Sequence, residues 1–185
     1  LTSCAGGARM DCRLPVSMCE KKGEAYRISV EGLMGGHSGA EIDKGRGNAN
    51  CIMARILHSL VQKMPVYLKS LEGGLADNAI PRQTVAEILI DKEKEEVFRH
   101  VLLQAEEEIK AELATKDPDF GITTVYRGEE QESCVDGAGT AHAAVYLISL
   151  PDGVQAMSAD VPGLVETSLN LGIVKYDTEA REIRC

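Results

Sequence analysis

The chain of 185 residues contains no tryptophan, and aromatic residues make up only 4% of it. Its core must therefore come from Leu, Ile, Val, Ala and Met. No apolar run reaches the roughly 18 residues of a membrane-crossing helix, and no charged-then-apolar leader pattern opens the sequence. Basic residues are in deficit, with a formal net charge of -9. That balance argues against a nucleic-acid partner, because phosphate binding needs clustered Lys and Arg. Paired cysteine spacings are missing as well. Cys4, Cys12, Cys19, Cys51, Cys134 and Cys185 form no C-x-x-C motif, so neither a zinc knuckle nor a dense disulfide framework is indicated. The cysteines read as reduced thiols and the protein as cytoplasmic, with no membrane partner.

What is present is ordinary globular composition, 44% hydrophobic and 26% charged, which excludes disorder. Residues 8–15 read as a strand. Residues 24–33 alternate, with Tyr26, Ile28 and Val30 on one face, the period of a half-buried strand. A glycine-dense loop runs from Met34 to Gly47. Ile52, Met53, Ile56, Leu57, Leu60 and Val61 then recur at helical spacing behind Asn48 as N-cap, and Pro65 stops the helix. Strands are expected at Val66–Leu68 and at 83–90, where Val85, Ile88 and Ile90 fall. Residues 92–115 carry a second apolar stripe of Val97, Val101, Leu102, Ala105, Ile109 and Leu113, ended by Asp117-Pro118. Beyond it lie a strand at 120–126, a solvated acidic loop at Glu129–Glu132, a small-residue helix at 137–149 and strands at 164–176 and 180–185.

From residue 24 the order is the βαββαβ pattern of a ferredoxin-like α+β sandwich, an antiparallel sheet with helices on one face. Residues 117–163 read as an inserted helical and strand elaboration before the last core strand. Because the sequence starts and stops close to or inside strands, 1–185 reads as a single domain excised from a larger protein.

Chemistry concentrates in Gly32-Leu33-Met34-Gly35-Gly36-His37-Ser38-Gly39. Glycine neighbours have no side chains to cover an imidazole, so His37 is displayed, although a surface turn that happens to contain His is the plainer reading. Gly36-His37-Ser38-Gly39-Ala40 also comes within one residue of the serine-hydrolase elbow G-x-S-x-G. That motif needs a helix directly after the serine, and Gly45 and Gly47 delay it. In Asp77-Asn78-Ala79-Ile80-Pro81, Pro81 fixes the exit of a turn and Asn78 offers a rigidly placed amide, or merely caps that turn. His58, His100 and His142 have no ligand partner at i+3 or i+4, so no metal site assembles from spacing.

Taken together, GLMGGHSGAEIDKGRGNAN (32–50), DNAIPR (77–82) and GLVETSLNLGIV (163–174) resemble the aminoacyl-histidine (Xaa-His) dipeptidases, carnosinase-like di-zinc metallopeptidases. SCAGGARMDCRLP near the start resembles that family's passage into its lid. The resemblance implies a lid, or dimerisation, domain inserted in a catalytic domain that holds two zinc ions and lies outside this chain. No cofactor is then expected in the chain itself. Its expected partners are a second copy, the catalytic domain and a dipeptide. The resemblance gives His37 the role of reaching into the partner's active site to stabilise the oxyanion, and Asn78 that of contacting substrate. Gly35, Gly36, Ser38 and Gly39 support the loop. A chain with these elements could instead be a free-standing ferredoxin-like regulatory module binding a small ligand. Metal-ligand motifs in the flanking reading frame would favour the peptidase.

Overall fold

The computed structural model describes residues 6–185; Cys4 and the first residues of the opening motif lie outside them. The first helix begins where the sequence supplies a cap. The Asn48 side chain accepts hydrogen bonds from the backbone N–H of Asn50 and Cys51 at 2.9 and 3.3 Å, satisfying donors that a helix start leaves unpaired.

In chain order the elements are β1 (Arg13–Pro15), β2 (Met18–Glu31), β3 (Gly36–His37), α1 (Ala49–Val61), β4 (Tyr67–Gly73), β5 (Ala79–Ile80), β6 (Thr84–Ile90), α2 (Glu95–Leu113), β7 (Gly121–Val135), α3 (Gly137–Ser149), β8 (Gly153–Met157), β9 (Val165–Leu169), β10 (Val174–Asp177) and β11 (Glu182–Arg184). The main sheet has seven strands in the order β1-β11-β10-β4-β6-β2-β7, all antiparallel. Within it, β4-β6-β2-β7 is the ferredoxin-like arrangement of a β2-α1-β4-β6-α2-β7 chain. The sequence expectation of an α+β sandwich holds, extended on one side by β10, β11 and β1.

One assignment inside that unit differs. The strand that closes it is β7, which pairs with β2 from Met18↔Val135 to Glu31↔Gly121, not the expected strand at 164–176. Position 164–176 instead splits into β9, in a hairpin with β8, and β10, beside β4. The strand at β7 thus occupies much of the 117–163 segment read as inserted. Glu129–Glu132, expected in a loop, lie within it. They lie in the strand through backbone pairing with β2, Glu129 opposite Glu24 and Glu132 opposite Lys21, and their side chains are met by Lys22, 2.8 Å from Glu129, and by Lys69 of β4, 3.5 Å from Glu132.

The core lies between the sheet and the helices. Tyr26, Ile28 and Val30 of β2 meet Ile52, Met53, Ile56, Leu57 and Leu60 of α1 and Phe98, Val101, Leu102, Ala105 and Ile109 of α2 in one cluster. Both predicted stripes are therefore buried, with one phase error. Val97 faces solvent and Phe98 takes the core position, its ring tilted 44° against that of Tyr26 with centroids 4.6 Å apart. In β6 the core face is Thr84, Ala86, Ile88 and Ile90, with Val85 on the other side. Gly139, Ala143 and Ala144 leave α3 narrow enough to pack against α1. A second, smaller cluster forms where the far end of the β2–β7 ribbon brings Cys19 and Cys134 against Ala25, Leu89 and Tyr67. Gly23 allows that approach, since a Cβ there would meet the Ile90 carbonyl oxygen at 2.6 Å.

Candidate functional site

The loop between β2 and α1 is fixed at both ends by one buried carboxylate. Asp117, just past α2, accepts from Met34 N–H through Oδ1 and from Gly47 N–H through Oδ2, each at 2.7 Å. Charge-assisted bonds of this kind are the strong ones, and Asp117 is only 1% exposed. Sequence reasoning saw in Asp117 only a helix stop.

Between those ends the glycines admit side chains rather than merely leaving space. Arg46 donates to the Gly35 carbonyl and pairs with Glu41 at 3.1 Å, while Arg82 Nε donates to the Leu33 carbonyl at 3.2 Å. A Cβ on Gly36 would stand 2.7 Å from Arg46 and 2.8 Å from Glu41, and Gly36 has φ 151°. Glu41 Oε2 accepts the His37 N–H at 3.0 Å. That bond, and secondarily the Arg46 charge, hold the Glu41 carboxyl below its ordinary pKa.

His37 itself is exposed and lies in β3, paired with β5 so that His37 sits opposite Ala79 and Gly36 opposite Ile80. Ser38 N–H donates to the Asn78 carbonyl at 3.0 Å. The two candidate residues, 41 positions apart in sequence (78 − 37), are thus neighbours across a two-stranded ribbon. The Gly39 N–H donates to His37 Nδ1 at 3.0 Å. A nitrogen that accepts a backbone N–H carries no proton, so the neutral imidazole has its proton on Nε2. Gly39 eases this fold-back, because a Cβ there would crowd the imidazole Cε1 at 3.2 Å. Gly35, Gly36, Ser38 and Gly39 all belong to the one braced loop. Only a one-turn 3-10 segment, Ile42–Lys44, follows Ser38 before the α-helix at Ala49, so no helix springs directly from the serine as a nucleophile elbow requires.

Asn78 is exposed in the turn before β5. Asn170 crosses that turn, its Nδ2 donating to the carbonyls of Asp77 and Ala79 at 2.9 Å each. Behind it lies a buried polar network. Thr84 Oγ1 donates to Asn50 Oδ1 at 2.6 Å, Asn50 Nδ2 donates to the Leu171 carbonyl at 2.9 Å, and Asp152 Oδ1 accepts from Asn48 Nδ2 and Leu171 N–H, both at 2.8 Å. Burial pushes the Asp152 carboxyl above its ordinary pKa despite those donors, and it pushes the adjacent Cys51 thiol up strongly. None of Asn170, Asp152, Thr84 or Asn50 was singled out from sequence. The GLVETSLNLGIV motif was the one signal that touched Asn170.

Among the described residues no group of three or more His, Cys, Asp or Glu stands close enough to hold a metal ion. The described residues therefore do not fit a di-zinc centre. His58, His100 and His142 are scattered over three helical faces. No helix of the described residues is long and apolar enough to cross a membrane.

The described residues thus form a ferredoxin-like domain that carries a histidine on a braced loop beside an exposed amide. The comparisons give that domain its family. Residues 28–117 match the model of the peptidase dimerisation domain of M20 type, and the chain carries such a domain. It is 32% identical over 163 residues to a cytosol non-specific dipeptidase of Escherichia coli (strain K12), covering 88% of this chain and 33% of that protein. The crystal structure of an aminoacylhistidine dipeptidase from Vibrio alginolyticus superposes with a TM-score of 0.84 at 28% identity, over 94% of this chain and 35% of that one. The chain thus spans about one third of the length of the relatives it matches.

Proposed function

We propose that this chain is the lid and dimerisation domain of a cytoplasmic, zinc-dependent dipeptidase that hydrolyses Xaa-His-type dipeptides. In that assembly His37 and Asn78 serve the active site of the partner subunit. The observation that carries the reading is the bond from Gly39 N–H to His37 Nδ1. It commits the imidazole to present Nε2–H outward, as a hydrogen-bond donor, from a loop held by Asp117, Arg46 and Glu41.

A fixed donor of this kind suits the hydrolysis of a peptide bond. When water adds to the scissile carbonyl, negative charge develops on its oxygen. A donor already aimed there stabilises the transition state without reorganising. Asn78, across the ribbon, supplies both a donor and an acceptor for the polar groups of a bound dipeptide. The two zinc ions belong, on this reading, to the catalytic domain. Self-association follows the family's description as a dimerisation domain, and the free edge of β7 is one surface available for it.

The test uses the full-length enzyme. His37→Ala is expected to lower kcat by about 10²–10³ while changing KM far less and leaving the fold intact, because the side chain is exposed and fills no core space. Mixing His37→Ala subunits with subunits inactivated at a zinc ligand should restore activity in hybrid dimers. In these, one site joins intact metal ligands from one chain to His37 of the other. Confirmed subunit exchange without recovered activity would overturn the role in trans.

A further inference from the structure

We infer that Asn170 is a positioning residue for Asn78, clipping the turn that carries it and thereby setting where the Asn78 side chain meets a substrate. The inference deepens the reading of Asn78 as a substrate-contacting group and rests on it.

The geometry begins with the turn. Its internal hydrogen bonding is slight, a single long bond of 3.3 Å from Ala79 N–H to the Ala76 carbonyl. The carbonyls on either side of Asn78 are tied instead from outside, both to the one Asn170 amide nitrogen at 2.9 Å. A carboxamide NH₂ has two protons, so it can serve two acceptors at once. Its orientation is forced, because turning Oδ1 toward the two carbonyls would set three acceptors against one another. As a result Oδ1 points inward, where it is buried and meets no donor among the described residues. An unpaired buried acceptor opposes folding. Asn170 therefore makes its bonds in favour of the turn and at its own disadvantage.

The clip is itself anchored. Next in sequence, Leu171 is buried, its N–H bound to Asp152 and its carbonyl to Asn50. Gly172 then lies flat on the turn, since a Cβ there would press to 2.7 Å of the Asp77 carbonyl oxygen. A continuous path of bonds thus runs from the start of α1 through Leu171 and Asn170 to the backbone on both sides of Asn78. From Asn78 it continues, through Ser38 N–H, to the His37 loop.

The test compares Asn78→Ala, Asn170→Ala and the double variant in the full-length dipeptidase, with hydrogen–deuterium exchange followed alongside. If Asn170 acts through Asn78, Asn170→Ala lowers kcat/KM by about tenfold or more, with the same division between kcat and KM as Asn78→Ala, and the double variant is no worse than Asn78→Ala alone. Exchange should accelerate in peptides covering 76–81 while the helices stay protected. Asn170→Ser, which keeps one donor, should fall between the parent and Asn170→Ala. Multiplicative losses in the double variant, or unchanged exchange at 76–81, would overturn the clip while leaving Asn78 its role. An Asn78→Ala enzyme with parental kcat/KM would show that the reading of Asn78 has failed, and the clip with it. Unfolding of both Asn170 variants would make Asn170 a structural residue and also refute the proposal.

Discussion

Two polar regions of this molecule are built on opposite plans. Around the β2–β7 ribbon, Lys21 and Lys22 of β2 and Lys69 of β4 pair with Asp91, Glu129, Glu130 and Glu132. These are full charges, and Lys22, Glu129 and Glu132 are more than half exposed, although Lys69 is only 12% exposed. At the other region, behind the His37–Asn78 ribbon, Asn48, Asn50, Thr84 and Asn170 bind one another, backbone groups or the Asp152 carboxyl. Those contacts are mostly uncharged, and Asn48, Asn50 and Thr84 are buried. Water can replace a surface partner as soon as it is lost, whereas a buried amide left alone has nothing to turn to. The weaker-looking contacts are thus the ones that fix position, and they lie behind the His37–Asn78 ribbon.

The comparison is most exposed at Thr84. Thr84→Val keeps the shape of the side chain but removes the hydroxyl that donates to Asn50 Oδ1 at 2.6 Å. Thr84 and Asn50 are 1% and 2% exposed, so no solvent can take over the acceptor. A loss of about 1–3 kcal/mol in denaturant unfolding is expected. A change within about 0.5 kcal/mol, the range of an ordinary surface substitution, would mean that the network contributes little.

Asp152 is the ionisable member of that network, and its pKa gives the comparison a pH axis. Its folded pKa is raised by burial, so the neutral form is the one the fold favours. That contribution is fully present below the unfolded pKa and is lost as pH rises through the folded value. Above it, the ionised carboxylate opposes folding. Asp152→Asn cannot ionise yet keeps an Oδ1 acceptor for Leu171 N–H. The stability of the variant relative to the parent should therefore rise as pH climbs from the ordinary carboxylate range through the raised folded pKa of Asp152. Unfolding midpoints that track in parallel across that range would show that desolvation of Asp152 does not matter.

How much of this was legible in sequence depends on the range of the contacts. The βαββαβ order was readable because Tyr26, Ile28 and Val30 alternate and the stripes of α1 and α2 repeat at helical spacing. The closing strand β7 was misplaced for a physical reason. It is an edge strand, and most of Gly121–Val135 is exposed, so it lacks the apolar alternation that announces a buried strand. His37 and Asn78 were readable as displayed groups because their neighbours are glycines and a turn-fixing proline. Asp117 and Asn170 were not. Their partners lie 70 to 93 residues away and are backbone atoms, which leave no trace in the identity of the residues they belong to.

The smallest expected effect belongs to the charged ribbon and completes the contrast. Lys22 meets Glu129 at 2.8 Å, with the two side chains 62% and 56% exposed. The contact has good length, and the pairing raises the Lys22 pKa, mainly through its hydrogen bond to Glu129. Yet both ends remain hydrated. Ordering two long side chains costs entropy, and solvent screens what attraction remains. The backbone register from Met18↔Val135 to Gly23↔Glu130 does not depend on this pair, and Lys22 fills no part of the small Cys19–Cys134 cluster. Lys22→Ala should therefore leave the denaturant midpoint where it was. The parent's own midpoint should also respond no differently to added sodium chloride than that of the variant, because an attraction already screened has little left to lose. A loss comparable to that of Thr84→Val, or one that appears at low salt and vanishes at high salt, would show the ribbon's charges holding structure. The division between a solvated charged region and a positioning amide region would then fail.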